Sequence, residues 1–465
     1  MPLILGTNSI KDTGFNVANS CRFDTNASMT KTSSTGSNTK STLSVWVKRS
    51  KLGAEQKIFN FTGGSNNFNI EFKSTDILAV SSYDGSSQMN LRPSRVFRDV
   101  SAWYHIVIAI DTTQGTAANR VKIYVNGVQE SSFGTETYPA EDETIEMNGR
   151  NSTNPFVGQD GGDDKFFNGY LAELVWIDGS QLAADSFGEF DSDSGIWKPI
   201  NVSGLTFGTN GFYLDFEASG NLGNDANGGT DLGETNIAAT DQSIDTCTNN
   251  FCTINSLDNE SGNITITEGN LNFKVTGNAD ETNRGTFGFT KGKWYFESKY
   301  IDDTGDGQYV LIGVASASDQ DIGTPRSDME RTGYYSIQLT STSPGVRPFD
   351  NGSAGSGLGN SAVDDIHMYA IDMDNNRFYA GRNGTWYASG DPAGNANPLI
   401  TMDDGYTTLM PSICTKQDGI AALNFGSPSY AISSGNADGN GFGNFEYAVP
   451  SGYFSLCTKN LAEHG

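Results

Sequence analysis

Acidic side chains dominate the groups that could do chemistry: 55 Asp and Glu stand against 29 Lys and Arg and only 3 His. Hydrolysis of a glycosidic bond needs two carboxylates facing each other across a groove, one protonated as acid and one ionised as base or nucleophile. Strands of a sandwich supply such a pair as Glu and Asp two residues apart on one face, and no strand pattern here carries one. Glu141, Asp142, Glu143 and Glu146 fall in a loop, and Glu189, Asp191 and Asp193 follow a helical turn, so both groups read as a solvated acidic face. His105 and His367 lie inside strands with no Cys or carboxylate at zinc-ligand spacing, and His464 sits near the last residue. They read as histidines satisfied by their neighbours, with no transition metal. The glycine-rich stretch 352–359 lacks the Lys and the strand-to-helix context of a phosphate loop. One loop does offer hard oxygen ligands: Asp160, Asp163 and Asp164 around Gly161-Gly162 form the candidate site for calcium, the one cofactor considered. No catalytic residue is assigned, and the expectation is a protein that is not an enzyme.

The elements that must position these groups are strands. In Trp103-Tyr104-His105-Ile106-Val107-Ile108-Ala109-Ile110-Asp111 and Val121-Lys122-Ile123-Tyr124-Val125 apolar residues alternate with period two, the pattern of a half-buried strand. Asn126-Gly127 then suits a type I′ turn. The two strands are expected in the middle of a sheet. Further strands read from Cys21-Arg22-Phe23, Leu43-Ser44-Val45-Trp46-Val47-Lys48 and the apolar run Tyr170-Leu171-Ala172-Glu173-Leu174-Val175-Trp176-Ile177. Ser180 is expected to cap the only helical turn, through Phe187. A second strand-rich block holds Lys293-Trp294-Tyr295-Phe296-Glu297, Tyr309-Val310-Leu311-Ile312 and a meander from Ile366 through turns at Asn375-Asn376 and Asn383-Gly384.

The pattern predicts an all-β chain of two antiparallel β-sandwiches of jelly-roll type in tandem. Its expected parts are an arm over 1–19, a first sandwich over 20–216, a linker over 217–248 and a second sandwich over 249–465. The linker rests on composition: Gly, Asn, Asp and Thr with almost no large apolar residue. Trp46, Trp103, Trp176, Trp294 and Trp386 fall within strands and read as core rather than as platforms for sugar. Cys21, Cys247, Cys252, Cys414 and Cys457 are odd in number and scattered; Cys247 and Cys252 could close a small loop, but free thiols are the favoured expectation. A net charge of −26 argues against nucleic acid and anionic lipid as partners. Met1-Pro2-Leu3-Ile4-Leu5-Gly6 is too short and uncharged to act as a signal peptide or to insert in a membrane.

Residues 20–200 resemble the laminin-G and pentraxin group of concanavalin-A-like domains, through Leu43-Ser44-Val45-Trp46-Val47-Lys48, Trp103-Tyr104-His105, Ile123-Tyr124-Val125-Asn126-Gly127 and Asn168-Gly169-Tyr170-Leu171-Ala172-Glu173. Residues 249–457 resemble a SPRY domain, through Gly292-Lys293-Trp294-Tyr295-Phe296-Glu297, Ala370-Ile371-Asp372-Met373-Asp374, Arg382-Asn383-Gly384-Thr385-Trp386-Tyr387 and Leu423-Asn424-Phe425-Gly426. The tandem order, with Asn19-Ser20-Cys21-Arg22-Phe23 near the start and Val449-Pro450-Ser451-Gly452-Tyr453 near the end, is similar to tail-fibre-like structural proteins of marine bacteriophages. That resemblance implies a virion protein, assembled in the host cytoplasm and exposed on the tail or capsid. It further implies contact with other virion proteins and with a host-surface glycan or protein. A homo-oligomer, a trimer for instance, would strengthen weak glycan contacts. Laminin-G relatives often hold calcium with loop carboxylates and carbonyls, which is why residues 160–164 are singled out. The alternatives are a purely architectural capsid decoration or tail adaptor and, third, a polysaccharide depolymerase.

Overall fold

The structure, a computed structural model, describes residues 14–162, 164–258, 263–276, 280–302, 309–318, 332–342, 345–403, 405, 407–416 and 419–465. Most of the expected arm, residues 1–13, lies outside them. The fold is all-β, and the chain divides into two units, Asp12–Thr248 and Asn249–Gly465.

In the first unit one sheet runs, in spatial order, Val128–Gln129, Val121–Val125, Trp103–Asp111, Lys40–Arg49, Gly169–Asp178, Ser20–Phe23 and Gln242–Ser243, with Phe212–Leu214 also paired to Gly169–Asp178. The other runs Phe133–Thr137, Ser87–Pro93, Leu78–Tyr83, Asn66–Phe72, Gln56–Gly63, Asn154–Val157, Ser28–Thr30 and Gly233–Thr235. Leu43, Val45, Val47, Ile106, Ile108, Ile110 and Trp176 meet Phe59, Phe61, Phe68, Ile70 and Phe72 in the core. Alternation thus places the residues as the sequence predicts. Trp103–Asp111 lies inside its sheet, but Val121–Val125 stands one strand from the edge, covered only by the short return strand of the Asn126-Gly127 hairpin.

The strands Lys40–Arg49 and Gly169–Asp178 are buried along nearly their whole length because both faces are covered. Trp46, Val107, Ala172, Val175 and Ile177 point away from the core and are capped by Ala184, Phe187, Trp197, Val202 and Phe207. A strand packed on both sides reads as a continuous apolar run, the longest in the chain. The register slips between Ala172 and Val175, where Glu173 takes a positive φ of 49°. This bulge lets Leu171, Leu174 and Trp176 face the core while Ala172, Val175 and Ile177 face outward.

Three expectations about this unit need correction. Residues 217–248 are not a linker: Leu222 and Leu232 enter the core, Gly233–Thr235 and Gln242–Ser243 close a strand on each sheet, and buried Asp245 pairs with buried Lys48 at 2.6 Å. A few buried groups at wide spacing anchor a segment whose composition looks unfoldable. Within the described end of the arm, Val17 is buried and its N–H donates to Thr248 Oγ1, so these residues belong to the sandwich. Ser180 caps nothing. Its carbonyl accepts from Thr42 Oγ1, and only a 3-10 turn, Ala184–Ser186, forms beyond it.

The second unit stacks a sheet ordered Ile264–Thr267, Asn272–Val275, Ile420–Asn424, Lys293–Asp302, Ile366–Asp372, Arg377–Arg382 and Thr385–Trp386 on another ordered Asp280–Arg284, Leu409–Lys416, Tyr309–Ser316, Tyr334–Leu339, Arg347–Asp350 and Ser353–Ala354. Trp294, Phe296, Tyr369, Ile371 and Phe378 pack against Val310, Ile312, Val314, Ile337 and Ile413. On the outer face of the first of these sheets, Tyr295, Met368, Ala370 and Tyr379 are covered by Phe445 and Tyr453. Phe454–Ser455 joins Lys293–Asp302 in parallel. A helix, Thr458–His464, follows, burying Asn460 and Leu461, where the sequence pattern predicts none.

Candidate functional site

The candidate calcium loop leaves the strand Asn154–Val157 and returns to Gly169–Asp178. Asp160 Oδ1 accepts the N–H groups of Gly162 at 2.9 Å and Asp164 at 3.4 Å, while Thr62 Oγ1 donates to the Asp160 carbonyl. Burial disfavours ionisation of Asp160, but the hydrogen bond from Asp164 and these N–H groups outweigh it and hold its carboxyl below the usual range. The same shared hydrogen bond raises Asp164. The structure therefore brings Asp160 and Asp164 together, and it sets the Lys165 ammonium 3.5 Å from the first and 3.9 Å from the second. Asp163 lies outside the described residues. Among the described residues no three His, Cys, Asp or Glu side chains are grouped as metal ligands.

His105 and His367 are enclosed, each beside a serine. The Trp197 indole N–H donates to His105 Nδ1 at 2.9 Å, so Nε2 carries the proton and donates to Ser44 Oγ at 2.8 Å. A histidine in this tautomer cannot take a proton from the serine. Burial pushes its pKa down to about 3, and Trp46 stacks on the ring with centroids 4.7 Å apart. His367 Nε2 lies 2.9 Å from Ser361 Oγ, and burial likewise lowers its pKa to about 3.

The acidic face is solvated only in part. Glu141, Asp142, Glu189 and Asp193 are exposed, and Asp191 caps its own turn through Ser194. Glu146 is fully buried instead, bound by Arg150 and by the Asn151 amide at 2.9 Å. Glu146 lies outside any strand, so no period-two pattern marks it as turning inward.

Two further acids escaped the sequence reading. Glu173, 6% exposed in its bulge, accepts from the Tyr213 phenol at 2.6 Å; burial raises its pKa to about 7. Glu297, with 0% exposure, accepts from Tyr295 Oη at 2.8 Å and from the N–H groups of Tyr447 at 2.9 Å and Glu446 at 3.0 Å. Burial drives it up to about 7 in spite of those donors. The available signal was a single acid inside an otherwise apolar strand. Glu173 belongs to the first unit and Glu297 to the second. Glu297 ties the 446–447 backbone over the outer aromatic cluster.

Trp46, Trp176, Trp197 and Trp294 are buried; Trp103 and Trp386 are half-buried, with the Trp103 N–H on Asp245 at 3.0 Å. None of the five cysteines forms a disulfide, and burial raises the thiols of Cys21, Cys247 and Cys457.

Residues 23–185 match the Laminin_G_3 family, described as the Concanavalin A-like lectin/glucanases superfamily. No curated protein matches the chain. Among solved structures, the SPRY domain of human HERC1 is similar at 15% identity and TM-score 0.26, over 34% of this chain and 91% of that one. The TRIM65 PSpry domain is similar at 14% identity and TM-score 0.27, over 37% and 91%. A native heptameric SAP-like pentraxin from Limulus polyphemus is similar at 15% identity and TM-score 0.28, over 36% and 80%. Over residues 23–185 the first sandwich is similar to laminin-G domains of the concanavalin-A type.

Proposed function

We propose that this chain is a bacteriophage virion protein, exposed on the particle as a tail or capsid fibre, that binds a host-surface glycan or protein and catalyses nothing. The matched superfamily spans lectins and glucanases. What favours binding is the state of the internal proton-transfer groups: His105 has both ring nitrogens engaged, and Glu173 and Glu297 are enclosed and hydrogen-bonded. Rim loops held by rigid strands are where recognition would sit. The virion part rests on the tandem sequence resemblance, and a trimer would supply multivalency.

The test is competition. Purified protein should slow adsorption of particles that carry it and should retain host glycan on an array without releasing reducing ends. Light scattering should return three times the mass of one chain. Unchanged adsorption, also in the presence of antibodies to the chain, would favour the architectural role, and reducing-end release would establish a depolymerase.

A further inference from the structure

Between the strands Phe212–Leu214 and Gly233–Thr235 the chain reads Asn221-Leu222-Gly223-Asn224-Asp225-Ala226-Asn227-Gly228-Gly229-Thr230-Asp231. Asp225 is 3% exposed. Its Oδ1 accepts the N–H groups of Tyr213 and Asn227, each at 3.0 Å, and its own N–H donates to Asp231 Oδ1 at 3.0 Å. Asp225 Oδ2, however, has no hydrogen-bond partner, and it is the only carboxylate oxygen among the buried polar atoms of the described residues in that position. A buried carboxylate is ordinarily paired or bound to metal, since leaving it bare in a low-dielectric interior is costly.

The backbone at Gly229 curls against this oxygen so closely that a methyl group there would overlap Oδ2. Asp231 and Glu234 add negative charge; their carboxylates already accept from the Asn221 amide and the Gly223 N–H, both at 2.8 Å. Lys31 is the nearby base. Its ammonium donates to the Thr230 carbonyl at 3.4 Å and stands 4.6 Å above the Phe212 ring; burial lowers its pKa against the opposing field of Asp225 and Asp231, to neither of which it forms a direct ion pair among the described residues.

We propose that the 221–231 loop binds a divalent cation on Asp225 Oδ2, with calcium as the ion. A carboxylate oxygen is a hard donor and selects a hard cation. An irregular glycine-rich turn suits the loose six- to eightfold coordination of calcium better than the octahedron magnesium demands. With few carboxylates, affinity belongs in the weak class, roughly 10⁻⁴–10⁻³ M. The ion would fix a turn that joins both sheets of the first unit. It is distinct from the 160–164 loop, and it does not depend on the proposed function.

The experiment uses the full chain, stripped with EGTA and titrated with calcium chloride or magnesium chloride by calorimetry, with Tm read in parallel. Wild type should bind one calcium per chain, with a higher Tm at millimolar calcium and a weaker response to magnesium. Asp225→Asn should lose the binding and the shift while melting in EGTA no lower than wild type, because a bare buried charge has gone. Gly229→Ala, which keeps the carboxylate and fills its cradle, should lose them too, and this holds the test open if Asp225→Asn fails to fold. Asp160→Asn should retain both. An absence of calcium binding by wild type, or its persistence in Asp225→Asn or Gly229→Ala, would overturn the proposal.

Discussion

Glu173 sits at positive φ in the bulge of a strand buried on both faces, and its carboxylate accepts a hydrogen bond from the Tyr213 phenol. Its pKa is about 7 in the fold, raised chiefly by burial, against about 4.3 in an unfolded chain. Between those values the native state holds a proton that the unfolded state releases, so stability falls as pH rises from about 4.3 to about 7. The difference is worth on the order of 3 kcal/mol. Glu173→Gln keeps an acceptor for the phenol and removes the charge. Urea denaturation should find the variant close to wild type at pH 4 and more stable by about 2–3 kcal/mol at pH 8, with a flatter profile between. A variant that tracks wild type at both pH values would show that Glu173 is ionised at no cost.

The Asn126-Gly127 hairpin couples an element to its cover. Asn126 has φ 48° and Gly127 φ 80°, as a type I′ turn requires, and a methyl group at Gly127 would overlap the Trp197 ring that holds His105. Gly127→Ala therefore meets both backbone strain and a clash, and should cost about 2 kcal/mol or more, read as a lower Tm with a changed near-ultraviolet signal from Trp197. A neutral effect would mean the 188–199 cover shifts freely. This turn and the alternating strands were legible because their causes are local: period-two burial and residues that tolerate positive φ. The Glu173 bulge was not, since it is imposed by covering the strand on both sides. Neither was the parallel pairing of Phe454–Ser455 with Lys293–Asp302, whose partners are remote in sequence. The chemistry of the acids was legible only by type. Whether Glu146 or Asp225 turns inward depends on Arg150 and Asn151 in one case and on the Tyr213 strand in the other.

At the scale of the whole molecule, the segment 217–248 decides where the first sandwich ends. It lends the core Leu222 and Leu232, gives Arg22 a partner in Asp241 at 3.0 Å, and gives Lys48 its counter-ion in Asp245. Removing it would take the Asp245 counter-ion from the Lys48 ammonium, which is 1% exposed and lies over Tyr170. Loss of one partner of a buried pair costs about 3–5 kcal/mol, before the loss of two core leucines at about 2–5 kcal/mol each. Those sums rival the whole stability of a domain, typically about 5–15 kcal/mol. A fragment of residues 12–248 should accordingly melt cooperatively, whereas residues 12–216 should not. Circular dichroism melts of the two fragments check this, and Asp245→Asn in the longer one should account for part of the loss. Cooperative melting of 12–216 at the same temperature would return the segment to the status of a tether, for its contacts would then contribute nothing that the remaining strands cannot supply.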